Sequence, residues 1–167
     1  MSYAPNVDAA RFLVKEVMPL VWEQCPYATV LLAGTDPRSS VRALASDRVT
    51  VSGHLPDIRE AYASSQVFVA PMRIGSGLQN KLLEAMAMQR PCVTTSLANT
   101  PLGAVSGEHL LVGDDAAILA AHIVGLLKDA ELRSRIADSG LRFVQQHYSW
   151  SAAVKPLEEL LDAVVAK

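Results

Sequence analysis

Five short apolar runs punctuate this chain, and stretches of helical periodicity separate them. The runs are YATVLLAG (27–34), RVTVSG (48–53), QVFVAP (66–71), PCVTTS (91–96) and EHLLVG (108–113). Each has strand length, is rich in aliphatic or β-branched residues, and closes on glycine, proline or serine. Strands that alternate with helices must be joined by crossovers, which makes them parallel and buries both faces of their sheet. The expectation is an α/β fold: a Rossmann-like parallel sheet with helices on both faces.

The helical stretches support this. Between Asn6 and Cys25 the apolar residues Val7, Ala10, Phe12, Leu13, Val17, Leu20 and Val21 recur at helical spacing. Asn6 is placed to cap this helix, and Pro19 to kink or split it. SVRALAS (40–46) reads as a short helix, and PDIREAYASS (56–65) as one with Pro56 at its first position. Beyond Asp114 the chain reads as helical to its end. Asp114 or Asp115 caps the first of these helices, and Ser149 caps a last amphipathic one over 150–167.

The length of 167 residues suits one domain with a real core, and 50% hydrophobic residues make it a folded one. A net charge of -2 with 5% aromatic residues leaves neither a basic stripe nor a stacking platform, so nucleic acid is not an expected partner. Cys25 and Cys92 lie in apolar surroundings without C-x-x-C spacing, and read as reduced core thiols. His54, His109, His122 and His147 are scattered, so no metal site is expected. Neither a signal peptide nor a run of membrane-spanning length is visible, and a cytoplasmic setting is expected.

One stretch stands apart: RIGSGLQNKLLEAMAMQRPCVTT (73–95). It begins at the carboxyl end of the third strand, the edge at which open α/β sheets bind ligands. Gly75 and Gly77 permit backbone angles closed to other residues. Leu78 is expected to begin a helix, whose first N–H groups have no partner inside it and suit a diphosphate. Lys81 falls in its first turn, and Glu84 lies three residues on along the same face. Leu82, Met86 and Met88 read as core. The same spacing also suits an ordinary glycine-rich turn followed by an exposed ion pair.

The segment VAPMRIGSGLQNKLLEAMAMQRPCVTT resembles the donor-binding segment of GT-B glycosyltransferases, retaining family 4 (glycosyl transferases group 1). Within that family it looks most like bacterial sugar transferases associated with exopolysaccharide and exosortase gene systems. The resemblance extends from YAPNVDAARF through VSGHLPDIREAYASSQVFVAP to LLKDAELRSRIADSGLRFVQQHYSW. Glu84 matches the second glutamate of the family's E-x7-E motif, which implies a contact with the ribose of a nucleotide sugar. The first glutamate would fall at 76, where this chain has Ser76. That puts the grip on the donor sugar in doubt, unless Ser76 or the amides of Gln79 and Asn80 take it over. The resemblance further implies phosphate contacts at Gly77 and Leu78, a place for Gly75 and Ser76 in the donor-binding loop, neutralisation by Lys81, and base or sugar contacts at Gly53, His54, Leu55 and Arg73.

Taken whole, the resemblance implies the carboxyl-terminal, donor-binding half of a GT-B hexosyltransferase. Its substrate would be a nucleoside-diphosphate sugar with UDP or GDP, and it would need no cofactor. The amino-terminal domain, which takes a saccharide or lipid-linked acceptor, would lie outside residues 1–167, with the helix over 150–167 packing back toward it. The fragment alone is expected to be inactive, and the full-length protein to sit in the cytoplasm at the inner face of the membrane. In the family a further strand precedes YAPNVD and occupies the middle of the sheet. Another segment, a second copy of the chain or closure of the visible strands could fill that place, so self-association is a corollary. The rival reading is a non-catalytic nucleotide-binding or assembly module, which Ser76 favours. A receiver-like domain is disfavoured, because no acidic cluster lies at the strand ends.

Overall fold

The computed structural model describes residues 2–149 and Val154. The expected helix over 150–167 therefore lies outside the described residues, Val154 apart.

The chain opens with a long rod. Helix α1 (Ala4–Phe12) passes through a single π-helical turn (Leu13–Val17) into α2 (Met18–Gln24). Tyr3, not Asn6, is the N-cap, and Pro5 occupies the first turn, where its missing N–H costs nothing. The wide turn answers to Pro19. A proline ring clashes with the carbonyl four residues back and offers it no N–H. The carbonyl four back from Pro19 is that of Lys15, and around it the Met18 N–H reaches back five residues to the Leu13 carbonyl, so the rod widens without breaking.

The strands are β1 (Val30–Ala33), β2 (Val49–Gly53), β3 (Phe68–Ala70), β4 (Cys92–Thr94) and β5 (Leu111–Val112), and all pairings between them are parallel. Between them run α3 (Ser39–Arg42), α4 (Arg59–Ser64), α5 (Asn80–Ala87) and α6 (Ser96–Asn99). Helices α7 (Ala116–Lys128) and α8 (Ala130–His147) follow β5. Helix α4 starts at Arg59 and leaves Pro56 outside, three residues ahead of it. Asp115 caps α7 by accepting from the Ile118 N–H at 2.8 Å, whereas Asp114 accepts from the backbone and hydroxyl of Ser96.

Parallel α/β architecture is thus as expected, but the strands form two sheets: β1 with β2, and β3-β4-β5 in that order. Among the described residues β1 and β3 each leave one edge without a strand partner. A cavity of about 500 Å³ opens between these two edges, walled also by Leu13, Met18 and Ile123.

Strand β4 shows how both faces are covered. Cys92 and Val93 are consecutive and fully buried, yet they belong to different apolar clusters. Val93 packs with the rod and α7, while Cys92 packs with α5 and α8, as the alternation of a strand requires. Burial pushes the Cys92 thiol well above its ordinary pKa, which leaves it an inert core group.

Candidate functional site

The strands β3, β4 and β5 pair in parallel, so their carboxyl ends share one edge of that sheet, and the glycine-rich loop lies there after β3. Two buried hydroxyls fix its first residues. The Thr94 hydroxyl donates to the Ala70 carbonyl at 2.8 Å, and that of Thr95 to the Met72 carbonyl. The Ala70 carbonyl accepts from the Met72 N–H as well, at 2.9 Å, so this strand-end carbonyl is doubly satisfied.

Arg73 turns back onto the rod. It donates to both oxygens of Asp8 at 2.8 and 3.1 Å, lies 3.5 Å from Glu16, and stacks 4.2 Å above the Phe12 ring. These hydrogen bonds hold the Asp8 carboxyl below its ordinary pKa. Through these contacts Arg73 fastens the loop to α1.

Gly75 and Gly77 adopt φ of +122° and +79°. A side chain would find room at both positions, with no atom nearer than 3.8 Å, so conformation and not space requires glycine. Ser76 between them is exposed, as is Leu78. Helix α5 begins at Asn80 with Gln79 as its N-cap, two residues later than the sequence suggests. Gln79 is extended there, and its amide donates to the Gly77 carbonyl at 3.2 Å. Among the described residues no side chain caps the first turn of α5; the Leu82 N–H closes on the Gln79 carbonyl at 2.8 Å, and the N–H groups ahead of it point past the helix end toward the loop. The N–H groups of Gly77 and Leu78 belong to the loop ahead of it.

The helix itself is held by its buried face. Leu82, Ala85 and Met86 are wholly inaccessible, at the i, i+3, i+4 spacing of a core stripe. Full burial of Leu82 and Met86 contributes about 1.5–3 kcal/mol each. Gln89, at φ +55°, stops the helix, and the Arg90 N–H closes on the Ala85 carbonyl at 2.9 Å.

Lys81 and Glu84 share a face of α5 but take different partners. The Lys81 ammonium donates to Asn6 Oδ1 at 2.7 Å and approaches the Met72 sulfur at 3.8 Å. Burial lowers its pKa, and the nearby Glu84 charge opposes that shift. Glu84 is exposed, and its Oε2 accepts from the Tyr62 hydroxyl at 2.8 Å. Gly53, His54 and Leu55 lie at the carboxyl end of β2, on the other sheet, with His54 exposed.

The structure thus brings loop 73–79, Lys81 and Glu84 together, with Gly53–Leu55 across β1 and the cavity. Sequence reasoning did not find Tyr62, Asn6 as the Lys81 acceptor, or the two threonines. The first two partnerships span 22 and 75 residues, and no local periodicity encodes such separations.

Comparison with known proteins fits this geometry. The family model described as Glycosyl transferases group 1 matches residues 1–129. Phosphatidyl-myo-inositol mannosyltransferase of Mycobacterium leprae (strain TN) is 28% identical over 156 residues, 89% of this chain and 41% of that protein. A Klebsiella pneumoniae sequence described as an uncharacterized 44.6 kDa protein in cps region is 24% identical over 152 residues, 86% of this chain and 39% of its own. The chain therefore spans about two-fifths of the length of these curated relatives. Among solved structures, Anabaena HepE in complex with UDP and glucose matches with a TM-score of 0.74 at 15% identity, over 96% of this chain and 53% of HepE. The C-terminal domain of the glycosyl transferase group 1 protein LpcC from Francisella tularensis matches at 0.70 and 21% identity, over 86% of this chain and 82% of that domain. At such identities the likeness is one of fold, that of GT-B carboxyl-terminal domains.

Proposed function

The chain belongs to the glycosyl transferases group 1 family, and from that premise we propose that it is the donor-binding half of a retaining glycosyltransferase. Its ligand is a nucleoside-diphosphate sugar, with UDP favoured over GDP by the UDP complexes of HepE. The product is a bacterial surface or exopolysaccharide glycan, in keeping with the cps region of the Klebsiella relative. The acceptor, a saccharide or lipid-linked saccharide, binds a further domain outside residues 1–167, in the cytoplasm at the membrane's inner face. Transfer needs both reactants positioned together, so these 167 residues bind donor without transferring it.

One observation carries the reading. The uncapped start of α5, reached through two glycines at positive φ, stands beside a half-buried ammonium and an exposed carboxylate. Diphosphate oxygens meet the N–H groups and the Lys81 ammonium, which keeps one N–H donor beyond those given to Asn6 and the Met72 sulfur. Negative charge grows on the diphosphate as the sugar departs, and donors already in place stabilise it. Glu84 accepts from the ribose hydroxyls.

Calorimetric titration of UDP, GDP, ADP and their nucleosides against wild type, Glu84→Ala and Lys81→Ala tests this. Glu84→Ala is expected to weaken nucleoside and nucleotide alike, by about 1.5–3 kcal/mol. Lys81→Ala is expected to weaken the diphosphates more than the nucleosides. Equal affinities in all three folded proteins would reduce the loop to a turn. The rival reading, a binding module without transfer activity, rests on exposed Ser76 in place of the family glutamate. Donor binding by the chain, with no transfer when a family acceptor domain is supplied, would favour it.

A further inference from the structure

Glu84 stands on the exposed side of α5, where a carboxylate on a flexible stem is free to sample several directions. One contact removes that freedom. The Tyr62 hydroxyl, from α4, donates to Oε2 at 2.8 Å. Tyr62 is itself fixed: it is 7% exposed, and its ring meets that of Phe68 on β3 with centroids 5.4 Å apart. Burial, then the hydrogen bond and charge of Glu84, push the phenol pKa up, so the hydroxyl stays a donor at any working pH. Lys81, the other polar group on this face, is drawn away to Asn6. Glu84 Oε2 is thereby committed, and on this exposed residue no hydrogen bond among the described residues engages Oε1.

We propose that Tyr62 is a positioning residue for the donor site, fixing one oxygen of Glu84 so that the other is presented, already oriented, to the vicinal hydroxyls of a ribose. This rests on the reading of Glu84 as the ribose acceptor and adds the group that orients it. Orientation in advance spares the ligand the cost of ordering a side chain on binding. Because Tyr62 acts only through Glu84, its loss affects recognition of ribose and leaves recognition of base and phosphate intact.

The test compares UDP with 2′,3′-dideoxy-UDP by calorimetry on wild type, Tyr62→Phe, Glu84→Ala and the double variant. Phenylalanine keeps the ring against Phe68, and a melting curve confirms the fold. Tyr62→Phe is expected to weaken UDP about five- to thirtyfold, the effect of losing roughly 1–2 kcal/mol, and to leave dideoxy-UDP within about twofold. The double variant is expected to bind UDP no more weakly than Glu84→Ala alone, since one residue works through the other. Equal weakening of both ligands by Tyr62→Phe would make Tyr62 a packing residue and overturn the proposal, as would unchanged UDP affinity. Wild-type discrimination surviving in Glu84→Ala would overturn the underlying reading instead, a separate result.

Discussion

The Lys81 ammonium on α5 donates to the Asn6 side chain on α1 at 2.7 Å, joining residues 75 apart in the chain. It ties the first turn of α5 to the rod and half-buries a charge that needs an acceptor. Asn6→Ala removes the acceptor and leaves the charge. The expected cost is about 1–3 kcal/mol in urea denaturation, with weaker UDP binding as the helix start loosens. In a Lys81→Met background the same change should cost much less, because no charge remains to be satisfied.

The buried ammonium also sets a pH dependence. Its folded pKa lies below the ordinary 10.5, so the folded chain gives up this proton before the unfolded chain does. Stability therefore rises with pH between the lowered value and 10.5, where the unfolded state holds more protons. Ligand binding has the opposite sign, because a diphosphate favours the ammonium and its binding takes up a proton. UDP affinity is expected to fall more steeply than uridine affinity as pH rises through the lowered pKa, since the uracil N–H ionises in both ligands and only the diphosphate meets Lys81. Titrations across alkaline pH would show it, and Lys81→Met should abolish the difference.

Two helical glycines should respond oppositely to alanine. A Cβ at Gly140 would lie 2.8 Å from the His109 carbonyl and 3.4 Å from Met86, so α8 approaches its neighbours closely only because that atom is absent. Gly140→Ala is expected to destabilise by about 1–3 kcal/mol. At Gly125 of α7 the nearest atom, on Leu132, is 3.9 Å away. Gly125→Ala should stabilise by about 0.5–1 kcal/mol through helix propensity alone. Parallel urea melts decide both.

The divided sheet predicts a pattern of amide exchange. The Val30 N–H bonds Arg48 at 2.8 Å, and by alternation Leu32 turns the same way while Leu31 and Ala33 face the cavity. Phe68 donates to Pro91 at 3.0 Å, which turns Val69 toward the cavity from the other side. Leu31, Ala33 and Val69 should exchange fast in dilute protein while Leu32, Phe68 and Ala70 stay protected. Unpaired edges recruit other strands, so the fast amides should become protected as concentration and light scattering rise. Protection of all six in a dilute monomer would show the edges closed within one chain.

What the sequence made legible, and what it did not, divides by range. The five apolar runs became the five strands, because a both-faces-buried strand is written in consecutive residues such as Cys92 and Val93. The core face of α5 and the need for glycine at 75 and 77 are equally local. Helix starts were less legible. Leu78 and Pro56 look like first residues, yet Gln79 and Ile58 are the N-caps, since side chains at either position leave several starts open. The partners of Lys81, Glu84 and Arg73 were invisible, because each contact depends on how separate elements pack. The division of the sheet was legible only as a question.

The π-helical turn at Leu13–Val17 acts as a clocking device. An α-helix advances about 100° per residue, so accommodating one extra residue in a turn rotates everything before it relative to everything after. The front of the rod aims Asn6 at Lys81 and Asp8 at Arg73, and the rear lays Met18 and Val21 into the core. Exposed Lys15 sits within that turn. Deleting it would leave every contacting side chain in the sequence and swing Asn6 and Asp8 away from Lys81 and Arg73. The value of that residue is angular: it sets the azimuth at which one half of a helix faces another.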